Sequence, residues 1–197
     1  DILTEYSIRD INFTYFESTE VSETIPYFSP EEDEAKHAFG TMMEDWENNP
    51  EVTEVMSGYE SGSCGYYDID ADGVVELIIY NEKCLGIFKY QEGDIKRIYC
   101  GTYSVLLEDG TVEYYRPGGA PQHEIYKFYE YDGDAYVEKD SFEWYNNDES
   151  GNIYTSEDDT YFHNGDSVTQ EEWYSLRSSY MELNYARYEN RFVIYSE

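Results

Sequence analysis

The hydrophobic residues recur at helical spacing near each end of the chain and at every second position in between. A first helix is predicted to start at 29–32, because Ser29 can cap it, Pro30 suits its first position and Glu32 completes a capping box. Its apolar face is predicted to comprise Ala35, Phe39, Met42 and Trp46. Residues 48–50 (Asn-Asn-Pro) predict the end of this helix.

A second helix is predicted to begin after Thr169. Glu172 follows three residues later, as a capping box requires, and Val168 with Trp173 has the spacing of a hydrophobic staple. The buried face of this helix is predicted to be Trp173, Leu176, Tyr180 and Leu183. Residues 191–195 (Arg-Phe-Val-Ile-Tyr) indicate a closing strand, and residues 11–16 indicate a short strand near the start of the chain.

Between about Tyr59 and Phe162 the apolar residues alternate with polar ones, and turn dipeptides interrupt the alternation. Glu92-Gly93, Asp109-Gly110 and Asp132-Gly133 each separate two alternating segments, which is typical of hairpins. Another polar turn is expected at 146–152. This central part of the chain therefore predicts an antiparallel meander of about seven or eight strands.

These elements together predict an α+β fold, namely a curved antiparallel β-meander with one N-terminal and one C-terminal helix. The 197 residues are expected to form a single α+β domain, 1–197, because no Pro/Ser-rich linker divides them. Within it, 1–28 is expected to be a peripheral N-terminal segment. The core must draw heavily on aromatic rings, since the chain has 24 Tyr and 9 Phe.

The charge of the chain excludes several classes of partner. There are 12 Lys and Arg against 44 Asp and Glu, which gives a net charge of −32. Phosphate backbones and anionic membrane surfaces are bound by clustered Lys and Arg, so no nucleic-acid partner is expected. No apolar run reaches the roughly 18–20 residues of a membrane span, so no transmembrane segment is expected in this chain.

Residues 68–76 (Asp-Ile-Asp-Ala-Asp-Gly-Val-Val-Glu) form the most specific motif. Acidic residues occupy loop positions one, three, five and nine, and Gly73 stands at position six, where a calcium loop turns sharply. The predicted ligands of a structural calcium ion are Asp68, Asp70, Asp72, Glu76 and the backbone carbonyl of Val74. An EF-hand is excluded, because its twelfth position requires Glu and is Ile79 here. The open alternative is an acidic turn that binds nothing.

The chain has three cysteines, Cys64, Cys84 and Cys100, and none has the spacing of a zinc site. A two-residue turn at Glu92-Gly93 would place Cys84 and Cys100 one register apart, on opposite faces of a hairpin. Free thiols are therefore favoured over a disulfide.

Several segments together resemble a group of uncharacterised secreted proteins and lipoproteins of gut Firmicutes. The resemblance rests on the DxDxDGxxEL calcium-type loop at 68–77, on 106–111 (Leu-Leu-Glu-Asp-Gly-Thr), on 118–123 (Gly-Gly-Ala-Pro-Gln-His) and on 161–173. Ala71 replaces a usual Gly, and Trp173 a usual Tyr. The resemblance implies an exported protein at the extracellular side or cell surface of a Gram-positive bacterium. No signal peptide opens this chain, so we expect either a cytoplasmic protein or a mature one whose leader has been removed.

Signals of catalysis are weak. The chain contains no GxSxG, HExxH, Walker or GxGxxG motif, and His37, His123 and His163 belong to no recognisable triad. We therefore expect no enzyme, but a non-catalytic exported or cell-surface domain with a structural calcium loop that binds a protein or glycan, with Tyr as a contact residue. One alternative is an acidic decoy or inhibitor of a basic or nucleic-acid-binding protein. The other is a glycoside hydrolase or another hydrolase, whose carboxylate pair a sequence cannot locate.

Overall fold

The computed structural model describes residues 6–8, 11–13, 30–58, 61–81, 83–116, 123–146 and 159–195. The chain forms two compact units. The first comprises Asp1–Gly101 with Arg187–Glu197, and the second comprises Thr102–Ala186. Each unit has its own antiparallel sheet, and the single domain expected from the sequence stays a prediction.

Three α-helices and thirteen strands lie in the described residues. The helices are α1 Pro30–Glu44, α2 Pro50–Met56 and α3 Gln170–Met181, with a 3₁₀ turn at Trp46–Asn48. The strands of the first half are β1 Tyr6–Ile8, β2 Ile11–Phe13, β3 Ser61–Tyr67, β4 Glu76–Tyr80, β5 Cys84–Gln91 and β6 Asp94–Thr102. The later strands are β7 Ser104–Leu106, β8 Val112–Arg116, β9 His123–Tyr131, β10 Tyr136–Tyr145, β11 Thr160–His163, β12 Asp166–Val168 and β13 Glu189–Tyr195.

The first unit contains a seven-stranded sheet in the order β1-β2-β13-β3-β4-β5-β6. The predicted closing strand is confirmed as β13, and it pairs antiparallel with both β2 and β3. Strand β4 lies between β3 and β5, and Leu77, Ile78 and Ile79 are completely buried. This strand is therefore covered on both faces, as expected of a central strand.

The N-terminal helical region differs from the prediction in two respects. The first helix begins at Pro30 as predicted but ends at Glu44, before the predicted stop at 48–50, and a second helix starts at Pro50. The Asn49 side chain accepts hydrogen bonds from the N–H groups of Glu51 at 3.0 Å and Val52 at 3.2 Å. Asn at the cap and Pro50 at the first position favour a helix start, so the residues that predicted a helix end begin a new helix instead.

Helices α1 and α2 cover the apolar residues of the first sheet. Of the four predicted core residues, Ala35 and Phe39 of α1 and Trp46 of the 3₁₀ turn are buried, while Met43 is buried in place of Met42, which is only half-buried. The buried residues of this helical region pack with Leu77, Ile79 and Phe88 of the sheet. Helix α2 approaches β5 closely at Gly86, where an added Cβ would lie 2.5 Å from a methyl group of Val55. Only glycine allows this approach.

The second unit is a meander of six strands, and its sheet order β12-β11-β10-β9-β8-β7 follows the chain. The predicted hairpins at Asp109-Gly110 and Asp132-Gly133 join β7 to β8 and β9 to β10. Helix α3 starts with the predicted capping box of Thr169 and Glu172. Trp173 packs with Phe128, Phe142, Tyr161 and Leu107, but the predicted core residue Leu176 is 46% exposed.

The α+β class is confirmed, whereas the strand number and the single meander were wrong. The second sheet is one meander of β7–β12, whereas the first sheet joins the consecutive strands β3–β6 to β13, which comes from the far end of the chain, and to β1 and β2. Residues 147–158, which include most of the predicted polar turn, and residues 14–16 of the predicted first strand lie outside the described residues. Among the described residues, no helix has the length and apolar character needed to cross a membrane.

Candidate metal centre

The acidic loop 68–75 connects β3 to β4, which are two inner strands of the first sheet. Its two ends are fixed to each other, because Tyr67 and Glu76 are partners in the antiparallel register of these strands. Ala71 and Gly73 adopt positive φ angles of 56° and 84°, which fold the loop back on itself. The loop therefore returns Glu76 to the neighbourhood of Asp68.

Three of the predicted ligand side chains converge in this loop. One carboxylate oxygen from each of Asp68, Asp70 and Glu76 lies within 4.8 Å of the others, so the trio could hold a metal ion. Glu76 is completely buried, while Asp68 is half-buried and Asp70 is exposed. The site thus has a buried inner side and an open outer side.

Asp68 and Asp72 also hold the backbone of the loop. The two oxygens of Asp68 accept hydrogen bonds from the N–H groups of Asp72 at 3.2 Å and Gly73 at 3.1 Å. Asp72 Oδ1 accepts from the N–H of Val74 at 2.7 Å. Asp72 and Val74, the other predicted ligands, therefore lie beside the trio and are tied to it through the turn.

Lys89 of β5 was not among the predicted site residues, but its ammonium group lies among these carboxylates. Lys89 Nζ is 2.7 Å from Glu76 Oε1, 3.0 Å from Asp72 Oδ2 and 3.1 Å from Asp70 Oδ2. Leu77 pairs with Phe88 across β4 and β5, which places Lys89 opposite Glu76 one residue further on. A single Lys within an apolar strand, 84–90 (Cys-Leu-Gly-Ile-Phe-Lys-Tyr), was the sequence signal that could have found it.

Burial explains why a positive charge is needed at this point. Burial raises the pKa of Glu76 to about 7, although the N–H of Ile69 at 2.9 Å and the Lys89 ammonium both favour its ionised form. Burial acts to lower the pKa of Lys89, but its hydrogen bonds to Glu76, Asp72 and Asp70 outweigh this effect and raise the pKa. Lys89 is therefore a charged, internal counter-ion of the loop.

The thiols of the first unit are free, as predicted, but two of them meet. Cys84 Sγ and Cys100 Sγ are 4.0 Å apart, so the expected placement on opposite faces was wrong. Ile95 and Cys100 pack against the same core although they are five residues apart in β6. Side chains alternate along a strand, so this requires one interruption of the alternation between them, which the sequence did not reveal.

The histidines lie in different surroundings. His37 is exposed on α1. His123 Nε2 is 2.9 Å from Glu143 Oε2, and His163 Nε2 is 2.8 Å from Asp140 Oδ1. Asp140 also accepts a hydrogen bond from the Tyr180 hydroxyl at 2.5 Å. Each His–carboxylate pair links two neighbouring strands of the second sheet. Asp140 is also connected to α3, through its hydrogen bond from Tyr180.

The fold and this loop define an antiparallel α+β protein with an acidic centre able to hold a cation. Comparison with family models, with curated proteins and with solved structures finds no match for the chain.

Proposed function

We propose that this chain is a non-catalytic, exported or cell-surface domain whose loop 68–76 is a structural calcium site. The observation that carries the proposal is the convergence of Asp68, Asp70 and Glu76, whose carboxylate oxygens lie within 4.8 Å of one another. Calcium prefers hard oxygen ligands in flexible geometry, and loops of extracellular modules bind it with dissociation constants of about 10⁻⁴–10⁻³ M. The resemblance to exported proteins agrees with such an environment.

Lys89 determines how strongly this site is expected to bind calcium. Its ammonium lies 2.7–3.1 Å from Glu76, Asp72 and Asp70, whereas calcium binds oxygen ligands at about 2.3–2.6 Å. Two cations cannot share these oxygens at such distances, because they would repel each other strongly. Calcium therefore has to displace the ammonium, and the affinity of the loop is correspondingly weak.

Thermal unfolding of the full chain tests the calcium proposal. A ligand that binds only the folded form raises the midpoint, so millimolar calcium should raise it relative to chelator. Magnesium should raise it less, because it demands a stricter geometry and gives up water reluctantly. Asp134→Asn, in the exposed turn between β9 and β10, is the control and should keep the full calcium effect. Equal wild-type midpoints in calcium and chelator would contradict the proposal.

The same domain is proposed to bind a protein or glycan partner. The support is a supply of exposed tyrosines in the second unit, among them Tyr103, Tyr174 and Tyr185. Tyrosine offers a rigid ring and a polar hydroxyl, which gives contact area at low entropic cost. Glycan arrays and pull-downs from the natural habitat, repeated after substitution of these tyrosines, test this role, and binding that survives all three substitutions speaks against it.

A further inference from the structure

The second unit has a half-open cavity of about 290 Å³ beside the C-terminal end of α3. Its polar side chains include Glu113 of β8 and Arg177 of α3, and its apolar wall includes Phe128, Met181 and Tyr185. Glu113 is the register partner of the buried Phe128, so both side chains lie on the sheet face that α3 covers. Burial raises the pKa of Glu113, and the charge of Arg177 in the same cavity only partly offsets this effect.

Two polar groups of the cavity have unused hydrogen-bonding capacity within the described part of the chain. Arg177 Nε is buried and donates to no acceptor there. The guanidinium carbon lies 3.4 Å from the centre of the Tyr126 ring and 5.0 Å from that of Trp173, so aromatic faces hold it in place. Glu113 is half-buried and accepts no hydrogen bond from the described residues. Glu113 therefore brings an unused acceptor to the cavity, which is costly unless a ligand or water uses it, and the Arg177 guanidinium lines the same cavity although solvent does not reach its Nε.

The rim of the cavity is apolar and well fixed. The Tyr185 side chain is exposed at 68%, and Met181 beside it at 60%. The backbone beneath Tyr185 is fixed, because this residue forms a bridge with Leu107 and the next N–H, of Ala186, donates to Leu106 O at 2.9 Å. The cavity thus presents a rigid support with a free aromatic ring next to buried polar groups.

These features select one class of ligand. An anion is disfavoured by Glu113 and by the net charge of −32, and a lone cation is disfavoured by Arg177. A hydroxyl group both donates and accepts hydrogen bonds, so neighbouring hydroxyls can satisfy Glu113 and Arg177 together. A sugar ring adds an apolar C–H face that fits the exposed ring of Tyr185.

We propose that this cavity binds a neutral saccharide, with Glu113 accepting from its hydroxyls, Arg177 donating to them and Tyr185 packing against its ring. The proposal names a site and a ligand class for the partner binding of the proposed function, on which it rests. It is independent of the calcium loop, since the cavity residues all belong to the second unit.

The experiment measures binding of neutral saccharides to the full chain. The probes are glucose, galactose, mannose and N-acetylglucosamine with their oligomers on an array, followed by titration calorimetry of the positives in calcium and in chelator. Glu113→Gln and Tyr185→Ala should each weaken binding about tenfold, which is the effect of about 1.4 kcal/mol. The matched control is Leu176→Ala, since Leu176 is also on α3, is exposed at 46% and does not line the cavity. Circular dichroism confirms that each variant is folded.

The outcomes separate this inference from the proposed function. Saccharide binding that both cavity variants weaken and the Leu176 variant keeps supports the inference. Binding that all three variants keep overturns it, but leaves a glycan-binding domain with its site elsewhere. Failure of every neutral saccharide to bind also overturns it. The calcium-dependent midpoint measured on the same samples decides the calcium part separately.

Discussion

Replacement of Lys89 by methionine is the most informative perturbation of this protein. Methionine keeps the length and most of the apolar contact of the lysine stem but removes the ammonium group. That group contacts Glu76, Asp72 and Asp70 at 2.7, 3.0 and 3.1 Å. Lys89→Met therefore leaves a loop of carboxylates around an empty centre.

The expected loss of stability follows from the burial of the pair. Glu76 is completely buried and Lys89 almost so, and removal of one partner from a buried ion pair costs about 3–5 kcal/mol. Two features reduce this cost, since the Ile69 N–H still donates to Glu76 and Asp72 is partly exposed. We expect a loss of about 3 kcal/mol in chelator. For a chain of this length, that loss lowers the unfolding midpoint by roughly 6–12 °C.

Calcium should restore most of the lost stability, because it replaces the missing positive charge. Calcium at a concentration 100 times its dissociation constant stabilises by about 2.7 kcal/mol. The assay is thermal unfolding of wild type and variant in chelator and in a calcium series, with amide hydrogen exchange of β4 as the local readout. The matched control is Lys139→Met, which breaks an exposed ion pair with Glu130 and should cost less than about 1 kcal/mol in either condition.

Two results would refute this reasoning. If Lys89→Met is as stable as wild type in chelator, the ammonium does not compensate the buried Glu76. If the variant is destabilised but calcium restores nothing, the carboxylates do not form a calcium site, and the loop is an acidic turn whose counter-ion is the lysine alone. The double variant with Glu76→Gln should recover part of the loss, since no buried charge then remains.

Three further predictions concern the loop, the thiols and the second unit. Asp70→Ala should reduce the free energy of unfolding by less than about 1 kcal/mol in chelator, where the variant loses only a part-exposed ion pair with Lys89, and by more in calcium. Equal losses in the two conditions, measured by thermal unfolding, would show that Asp70 does not bind the metal. The hydrogen bond with Cys84 lowers the pKa of Cys100, so Cys100 should be alkylated at a lower pH than an ordinary thiol, and Cys84→Ala should move the midpoint of this alkylation upward. Asp140→Asn should cost about 1–3 kcal/mol at neutral pH in chemical denaturation. Burial acts to raise the pKa of Asp140, but its hydrogen bonds outweigh this effect and lower the pKa. The stability lost by Asp140→Asn should therefore shrink as the pH falls through that pKa, where wild-type Asp140 becomes protonated. A loss of stability that does not depend on pH would contradict this role of the Asp140 carboxylate.

Much of the local structure could be predicted from the sequence alone. The start of α1 at Pro30, the capping box of α3 and the hairpin turns at Asp109-Gly110 and Asp132-Gly133 depend on residues within a few positions of one another. The acidic loop belongs to the same class, because its carboxylates converge through a turn of nine residues. Capping, turn geometry and alternation act over such short distances, so the order of residues is sufficient to indicate them.

The tertiary structure decided the features that join distant residues. Strand β13 enters the sheet between β2 and β3, and no local pattern shows which edge a closing strand will pair with. Lys89 meets Glu76 because β4 and β5 pair in one particular register, and a shift by one residue would turn its side chain to the opposite face. Arg177 and Glu113 share a cavity only because α3 covers the sheet. A sequence shows which groups are charged, but the distances and the burial that determine their energies arise only when the chain folds.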